Sequence, residues 1–237
     1  MKLSIIIPIF NEVNTLEEIV RQVQSVQYPV DHEIIIVDDA SVDKTYQKAA
    51  EIRTENLREG KEVRLLKNEV NRGKSFSIRK GIQSSQGDLV LIQDGDMEYD
   101  PQDIPGLLEP ILKGEADVVC GSRFLKKAHP EAMTLLSWIA NKTLTCLTNL
   151  LYGLRLTDME SGYKIFKTND LKALKLRSER FEFDPEAIAL LARKGARIVE
   201  LPIHYHGRTV REGKKINGMD FIEAAWTLIK YRLKPTK

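Results

Sequence analysis

Short β-branched runs alternate with helical patterns along the first 120 residues, and this alternation constrains the fold more than any other feature of the sequence. The predicted strands lie at 3–7, 33–37, 63–67, 89–93 and 118–120. The predicted helices between them lie at 15–27, 43–58, 74–84 and 103–113. Strands joined by helical crossovers run parallel and become buried on both faces. The pattern therefore predicts an α/β fold with a mostly parallel central sheet and helices on both faces.

The second half of the chain has fewer strands and longer helical patterns. Helices are predicted at 133–152, 184–194 and 220–232, and strands at 163–167 and 197–202. No internal repeat, low-complexity tract or linker separates the two halves, and 237 residues are an ordinary length for one domain. We therefore expect residues 1–237 to form a single domain.

Charge is divided unevenly between the two halves. Residues 1–120 carry a net charge of −8 and residues 121–237 a net charge of +10, although the whole chain carries only +2. A basic half suits phosphate groups, an anionic membrane surface or nucleic acid. Cys120 and Cys146 give no disulfide framework, which fits a reducing cytosol.

No segment is predicted to cross a membrane. The longest apolar candidate, 135–156, is interrupted by Asn141, Lys142 and Arg155, whereas about 18 uninterrupted apolar residues are expected of a spanning helix. The N-terminal apolar run is too short for a signal peptide. We therefore expect a cytoplasmic protein that is either soluble or attached peripherally to the cytoplasmic face of the membrane.

Two carboxylates directly follow the fourth predicted strand. Asp94 and Asp96 flank Gly95 at its carboxyl end, which is where open α/β sheets bind ligands. Two hard oxygen ligands at this spacing suit Mg²⁺ or Mn²⁺ together with phosphate oxygens and water. A solvated Asp-Gly turn is the structural alternative, and these residues alone leave both interpretations open.

Acids also follow the first and second predicted strands. Pro8 is expected to end the first strand, and Glu12 follows it, either as a ligand contact or as a first-turn acid favoured by the helix dipole. Asp38 and Asp39 are adjacent at the end of the second strand, where they repel each other unless another group binds them. Acidic residues therefore collect at one predicted edge of the sheet.

The motifs at these strand ends, taken in order, resemble those of the family 2 glycosyltransferases with the GT-A fold. The matching segments are 8–12, 38–45, 71–74, 93–101, 121–124 and 158–164. Within the family, the chain is most similar to dolichol-phosphate mannose synthases and bacterial polyprenyl-phosphate glycosyltransferases. The resemblance implies a Rossmann-like fold in which 1–120 form the nucleotide-sugar and metal half and 121–237 form the acceptor half.

The resemblance implies a donor site for a nucleotide sugar, either GDP-mannose or a UDP-hexose. Pro8, Glu12 and Asp39 would line the pocket for the base and ribose. Asp38 would support that pocket, and Lys74 would lie near the nucleotide.

The resemblance also implies a metal site. Asp94 and Asp96 would hold Mg²⁺ or Mn²⁺ on the donor diphosphate, with Gln93 as a second contact. Asp96 would count among the catalytic residues. The cation would neutralise negative charge on the departing nucleoside diphosphate.

The acceptor implied by the resemblance is a polyprenyl or dolichyl phosphate. Arg123 would be a catalytic residue that meets the acceptor phosphate, and Ser137 would add a hydrogen bond. Arg208 would be a second catalytic arginine on a mobile loop, which Lys214 and Lys215 would complete as acceptor contacts. A solvated basic loop is the alternative for these last three residues.

The implied reaction is inverting transfer of a hexose, mannose or glucose, to the lipid phosphate. A phosphate monoester is largely ionised near neutral pH, because its second pKa is about 6, and it therefore needs no strong general base. One alternative is a saccharide or protein hydroxyl as acceptor, with Asp96 or Glu98 as the base. It stays open because the helix after Arg123 carries no basic residue before Lys142, where relatives often have one.

An alternative of another class is a non-catalytic module that binds a nucleotide sugar or nucleic acid. Nucleic acid is disfavoured as a partner, because the positive charges of the second half are interleaved with acids and no recognised binding motif accompanies them.

The helical patterns near 133–153 and 218–233 bear on the location of the protein. Most of their apolar residues are expected in the core, and these residues are Leu136, Ile139, Leu147, Leu150, Phe221, Trp226, Ile229 and Leu233. Aromatic residues close to lysines and arginines on the same helices also suit an anionic membrane surface. Peripheral membrane contact and homo-oligomer formation through these helices both remain open.

Overall fold

A central sheet organises the molecule in a computed structural model that describes residues 1–127, 133–207 and 218–234. Within these residues the seven strands are β1 (Lys2–Ile9), β2 (Asp31–Asp38), β3 (Val63–Lys67), β4 (Leu89–Ile92), β5 (Val118–Ser122), β6 (Lys164–Lys167) and β7 (Ile198–Pro202). Their order is β3-β2-β1-β4-β6-β5-β7, and β6 is antiparallel to both of its neighbours. The other pairings are parallel, which confirms the prediction of a mostly parallel sheet.

Helices cover both faces of this sheet, as predicted. They are α1 (Leu16–Ser25), α2 (Thr45–Arg58), α3 (Lys74–Ser84), α4 (Ile104–Leu112), α5 (Leu135–Tyr152), α6 (Thr168–Lys172), α7 (Phe183–Arg193) and α8 (Gly218–Leu233). Apolar residues of α1, α2 and α4 pack on one face, and those of α3, α6 and α7 pack on the other. α5 and α8 pack against α7 and against each other.

β1 extends past the residue that was expected to end it. It continues through Pro8, which pairs with Val37, and ends at Ile9. The carbonyl oxygen of Ile6 accepts a hydrogen bond from the Gln93 N–H at 2.9 Å, so the backbone polar groups of residue 6 point toward β4. By the two-residue period, the backbone nitrogen of Pro8 points the same way, at a position beyond the last β1–β4 pair. Its missing N–H therefore leaves no ladder hydrogen bond unmade.

Several predicted boundaries are reproduced residue for residue. β3 and α3 occupy 63–67 and 74–84, as predicted. α6 was not predicted, because a helix of five residues is too short to show a helical period in the sequence.

α5 buries a polar side. Its buried residues are Asn141, Leu144, Thr145 and Thr148. This side faces inward because it holds the loop before β6. The Asn141 Nδ2 group donates to Asp158 Oδ1 at 2.8 Å, and Thr145 Oγ1 accepts from the Met159 N–H at 3.0 Å.

The outer sides of α5 and α8 are apolar and exposed. The large apolar residues exposed there are Leu135, Leu136, Ile139, Leu150, Met219, Ile222, Trp226 and Leu233, with exposed fractions from 47% to 81%. The expectation that most apolar residues of these helices form core is therefore wrong. It fails because the polar side of α5 is the one that binds the loop before β6. No helix in the described ranges is both long enough and apolar enough to cross a bilayer.

Gly81 of α3 and Gly106 of α4 form a matched pair that tests the packing of helices on the sheet. A Cβ at Gly81 would lie 2.5 Å from Cγ2 of Ile6, whereas a Cβ at Gly106 would meet no atom within 4 Å. We expect Gly81→Ala to lower the free energy of unfolding by about 1–3 kcal/mol through overpacking. We expect Gly106→Ala to raise it by about 0.5 kcal/mol through helix propensity. Urea unfolding measures both changes, and equal stabilisation by the two variants would contradict the close approach of α3 to β1.

Candidate active site

A pocket of about 1010 Å³ opens at the carboxyl ends of β1, β2 and β4. β1 lies between β2 and β4, so the pocket sits at the switch point of the sheet, where doubly wound sheets bind ligands. The sequence-predicted site residues in its wall are Pro8, Glu12, Asp39, Lys74, Asp94, Asp96, Arg123 and Ser137. The predicted contacts Arg208, Lys214 and Lys215 lie outside the described residues.

Three non-glycine residues next to the pocket lining have left-handed backbone. They are Asn11 after β1, Ala40 after β2 and Met97 after β4, with φ values of 55°, 57° and 62°. This conformation costs about 1–2 kcal/mol for an L-residue and occurs where the surrounding structure imposes it. Each of the three is adjacent in sequence to a residue that lines the pocket.

The Asp39 carboxylate fixes the turn that begins α3. Its Oδ1 accepts a hydrogen bond from the Arg72 N–H at 2.9 Å, and its Oδ2 accepts from the Gly73 N–H at 2.7 Å. Lys74 is the first residue of α3 after this turn. Asp39 therefore lines the pocket and also holds the segment that carries Lys74.

Asp38 and Gln93 are the two described predicted residues that do not line the pocket. Asp38 is buried, and both of its carboxylate oxygens lie 3.3 Å from the Ser41 N–H, so it supports the turn after β2. Gln93 is fully buried. Its Oε1 accepts from the Tyr163 hydroxyl at 2.5 Å, and its Nε2 donates to the Asp94 carbonyl at 3.1 Å. The structure therefore gives Gln93 a place in the core behind Asp94, where Tyr163 holds it away from the pocket.

Glu12 lines the pocket but lies four residues before α1 begins, so the interpretation as a first-turn acid of that helix is wrong. Its Oε2 accepts from the Thr15 hydroxyl at 3.1 Å. Its N–H donates to Thr45 Oγ1 at 2.9 Å, which joins the segment after β1 to the first residue of α2.

Lys74 and Asp94 form an ion pair inside the pocket, with 2.5 Å between Nζ and Oδ1. Burial disfavours the charged ammonium, but the charges of Asp94, Asp184 and Asp96 outweigh burial and raise the pKa of Lys74. Gly162 faces the same carboxylate, and a Cβ there would lie 2.7 Å from Asp94 Oδ2. The space around Asp94 therefore depends on a residue without a side chain.

The donor set at this end of the pocket fits Mg²⁺ or Mn²⁺. No group of three or more His, Cys, Asp or Glu side chains forms a complete metal cage within the described ranges. Asp94 and Asp96 supply two hard carboxylates, a set that suits a cation whose remaining ligands are water and phosphate oxygens. Lys74 balances the Asp94 charge in this structure.

Elsewhere in the pocket wall, Asp158 holds the Arg123 guanidinium in a bidentate pair. Arg123 Nε donates to Oδ2 at 2.7 Å and Nη2 donates to Oδ1 at 2.8 Å. The Asp158 N–H donates to Glu200 Oε1 at 3.0 Å, and the Tyr205 ring lies 5.1 Å from the guanidinium carbon. Arg123 is therefore oriented by Asp158 and by the Tyr205 ring, and Glu200 holds Asp158 in place.

The pair remains charged although it is buried. Burial disfavours the Asp158 carboxylate, but Arg123 outweighs it and lowers the pKa of Asp158. Burial likewise opposes the Arg123 charge, and Asp158 raises its pKa well above the ordinary value. Sequence reasoning noted Asp158 only as part of a matching motif, because its partner lies 35 positions away.

A second group of buried charges was missed from the sequence. Lys164 is fully buried, and its Nζ lies 3.1 Å from Asp184 Oδ1 and also donates to the Ser161 carbonyl. Glu160 lines the pocket beside this pair, and burial together with the charge of Asp184 raises its pKa to about 7. The only sequence signal for Glu160 and Lys164 was the matching segment 158–164, which does not include Asp184.

Ser137 lies in the first turn of α5. The Thr134 side chain caps this helix by accepting from the Ser137 N–H at 3.2 Å and donates to Ser137 Oγ at 2.8 Å. Ser137 therefore presents its hydroxyl to the pocket from a capped helix end.

Comparison with known proteins identifies the family. Residues 4–175 match the model of glycosyl transferase family 2. The chain belongs to this family. Among its relatives is a dodecaprenyl-phosphate galacturonate synthase from Rhizobium johnstonii, 32% identical over 88% of this chain and 60% of the relative. A dolichol-phosphate mannosyltransferase from Pyrococcus furiosus is 28% identical over 94% of this chain and 61% of the relative.

A third relative is a UDP-N-acetylglucosamine–dolichyl-phosphate N-acetylglucosaminyltransferase from Methanococcus voltae, 31% identical over 84% of this chain and 83% of the relative. This family member spans about three fifths of the length of the Rhizobium and Pyrococcus proteins. Among solved structures, glucosyl-3-phosphoglycerate synthase from Mycobacterium tuberculosis, in complex with Mn²⁺, UDP and phosphoglyceric acid, has a TM-score of 0.71 at 20% identity. The match covers 100% of this chain and 80% of that one. The predicted GT-A fold is thereby confirmed.

The buried Arg123–Asp158 pair and the exposed Arg197–Asp117 pair provide a matched test of charge burial. Both pairs are bidentate, with Arg197 donating to Asp117 at 3.0 Å through Nε and through Nη2. We expect Asp158→Asn to lower the free energy of unfolding by about 3–5 kcal/mol, because it leaves the Arg123 charge buried and uncompensated. Asp117→Asn should cost much less, because solvent screens the exposed pair.

Denaturant unfolding at neutral pH measures both losses. Because the folded pKa of Asp158 is lowered, its contribution is present above the unfolded pKa of about 3.9 and is lost as pH falls through the folded value. The gap between the Asp158→Asn variant and the parent protein should therefore shrink under acid conditions. Equal losses in the two variants at neutral pH would contradict the buried pair.

Proposed function

We propose that this protein is an inverting, metal-dependent glycosyltransferase that moves a hexose from a nucleotide sugar to a polyprenyl phosphate. The observation that carries the proposal is the layout of one pocket. Its wall contains both the Asp94 and Asp96 carboxylates with Lys74 and the anchored Arg123. The printed names of the Rhizobium, Pyrococcus and Methanococcus relatives, which include polyprenyl and dolichyl phosphates, support this acceptor class.

Donor binding is assigned to the carboxyl ends of β1, β2 and β4. Asp94 and Asp96 would hold the cation, which when bound neutralises charge on the departing diphosphate. Lys74 adds a fixed positive charge beside the same carboxylates. Solved structures of the same fold in complex with UDP and either Mn²⁺ or Mg²⁺ support the use of a divalent cation with a nucleoside diphosphate in this fold.

Acceptor binding is assigned to Arg123, whose guanidinium group is already oriented by Asp158. An acceptor phosphate oxygen attacks the anomeric carbon from the side opposite the diphosphate. The new bond joins that oxygen to the anomeric carbon, the bond to the diphosphate breaks, and the configuration inverts. Because the acceptor phosphate is already ionised, with a second pKa of about 6, the pocket supplies position and charge and no strong base.

We propose that this pocket lies next to a membrane surface, and the exposed apolar sides of α5 and α8 support this. Leu136 of α5 and Phe221 of α8 line the pocket, and Leu135 and Trp226 of the same helices are 65% and 61% exposed. Apolar residues that continue outward from a pocket are suited to a lipid acceptor whose chain stays in the bilayer. Lys230 and Arg232, in the last turn of α8, suit anionic head groups.

A transfer assay tests the reaction and the metal together. Radiolabelled GDP-mannose or UDP-glucose, undecaprenyl phosphate and Mn²⁺ should give a labelled product that partitions into organic solvent. We expect Asp96→Asn to lower the rate at least about 100-fold, because it weakens charge stabilisation on the leaving group. Asp100→Asn is the matched control, because Asp100 lies outside this pocket and caps a short 3₁₀ turn by accepting from the Gln102 N–H at 2.9 Å. Asparagine caps equally well, so its rate should stay within about twofold.

Each other outcome of this assay has a defined meaning. No labelled product from any common nucleotide sugar would contradict the proposed reaction. Label that remains in the aqueous phase on a saccharide or protein would point to a hydroxyl acceptor. An Asp96→Asn protein with the parent rate would refute the metal assignment.

Flotation with liposomes tests the membrane contact. Vesicles that contain phosphatidylglycerol should bind the protein, and the double variant Leu135→Ser, Trp226→Ser should lower the binding constant at least about tenfold through lost apolar burial. Leu57→Ser and Val70→Ser are matched controls, because Leu57 and Val70 are 52% and 62% exposed outside α5 and α8. Equal loss in the controls would contradict a specific contact. Self-association that the double variant abolishes, without vesicle binding by the parent, would indicate a homo-oligomer in its place.

A further inference from the structure

Glu160 lies in the pocket wall and takes no part in the function proposed above. It belongs to the loop between α5 and β6, two residues after Asp158. Its Oε1 is shielded from solvent and receives no hydrogen bond from any described residue. A shielded carboxylate oxygen without a donor is unfavourable, and native structures rarely retain one without a reason. Because Glu160 also lines the pocket, a ligand group that donates a hydrogen bond to this carboxylate would supply a partner that the described residues do not.

The charges around Glu160 limit where that ligand group lies. Glu160 is close enough to Asp184, Lys164, Arg123 and Asp158 for each to influence its ionisation. Asp184 in turn acts on Lys74. Glu160 thus shares the pocket wall with both Lys74 and Arg123 and lies within reach of Arg123 and of the neighbour of Lys74.

The chemistry of the two phosphate sites limits which group can donate a hydrogen bond to Glu160. In the proposed function, the site beside Lys74 receives a diphosphate and the site beside Arg123 receives an acceptor phosphate. Ionised phosphates carry acceptor oxygens and negative charge, so neither offers a hydrogen bond to a carboxylate. The group between them is the hexose, which carries several hydroxyls that donate and accept.

We propose that Glu160 accepts a hydrogen bond from a hydroxyl of the transferred sugar and thereby determines which donors bind productively. This inference rests on the proposed function, because it places a sugar between a diphosphate and an acceptor phosphate. Glu160 would act on the hexose alone, whereas Asp94, Asp96 and Lys74 act on the nucleotide portion.

The ionisation of Glu160 is compatible with this role. Burial, reinforced by the negative charge of Asp184, raises its pKa to about 7. Near neutral pH the carboxyl group is therefore present in both forms, and it can accept from one hydroxyl or donate to another.

Binding measurements without acceptor separate a sugar contact from a nucleotide contact. Calorimetry in the presence of Mn²⁺ gives the dissociation constants of UDP and UDP-glucose, and of GDP and GDP-mannose. The relevant quantity is the affinity for the nucleotide sugar relative to that for its nucleoside diphosphate. We expect Glu160→Leu to lower this ratio about tenfold for the preferred donor, while the affinity for the nucleoside diphosphate alone changes less than about twofold.

A conservative variant and a remote control complete the design. Glu160→Gln keeps the shape and a neutral acceptor, so the ratio should fall by a smaller factor, about threefold, and this variant serves if the leucine protein does not fold. Glu109→Gln on α4 should leave the ratio unchanged, because Glu109 is 62% exposed and pairs with Lys113 at 3.0 Å.

Two results would overturn the inference while leaving the proposed function intact. An unchanged ratio in Glu160→Leu and Glu160→Gln would show that Glu160 does not contact the sugar. A parallel loss of nucleoside diphosphate and nucleotide-sugar binding would show that Glu160 maintains the pocket as a whole. If the parent protein bound no nucleoside diphosphate, the donor site itself would be refuted and this inference with it.

Discussion

Asp158 joins three parts of the chain that are distant in sequence. Its carboxylate accepts hydrogen bonds from Arg123 after β5 and from Asn141 on α5, while its N–H donates to Glu200 on β7. A buried carboxylate and a buried guanidinium are each unfavourable without the other, so removal of either one leaves an uncompensated buried charge. The Arg123 part of the pocket wall, the inward side of α5 and the edge strand β7 are therefore all bonded to one residue.

Local sequence signals were sufficient for the sheet and for part of the pocket wall. β3 and α3 begin and end where predicted, because apolar periodicity is set by neighbouring positions. Asp39, Asp94 and Asp96 could be placed at one edge, since the carboxyl ends of parallel strands meet there. The family resemblance added Arg123, which no local pattern singles out. The order of motifs along the chain carried more information than any motif by itself.

Contacts between distant segments explain what the sequence did not reveal. Gln93 belongs to the core because the Tyr163 hydroxyl, 70 positions later, donates to it. The inward side of α5 could not be chosen from its pattern, because a helix that packs its polar side has the same period as one that packs its apolar side. Glu160 stands out only through its surroundings, since its shielding and raised pKa arise from burial and from Asp184 on a separate helix.

The left-handed turns at Asn11, Ala40 and Met97 have a consequence for how this pocket tolerates sequence change. Each stands next to a residue that lines the pocket, so the main chain that carries Glu12, Asp39 and Asp96 is held by the surrounding structure. Replacing one lining residue then reshapes a local contact and leaves the surrounding frame in place. A frame of this kind allows members of one family to exchange one sugar or acceptor for another by a few substitutions, without a change of fold.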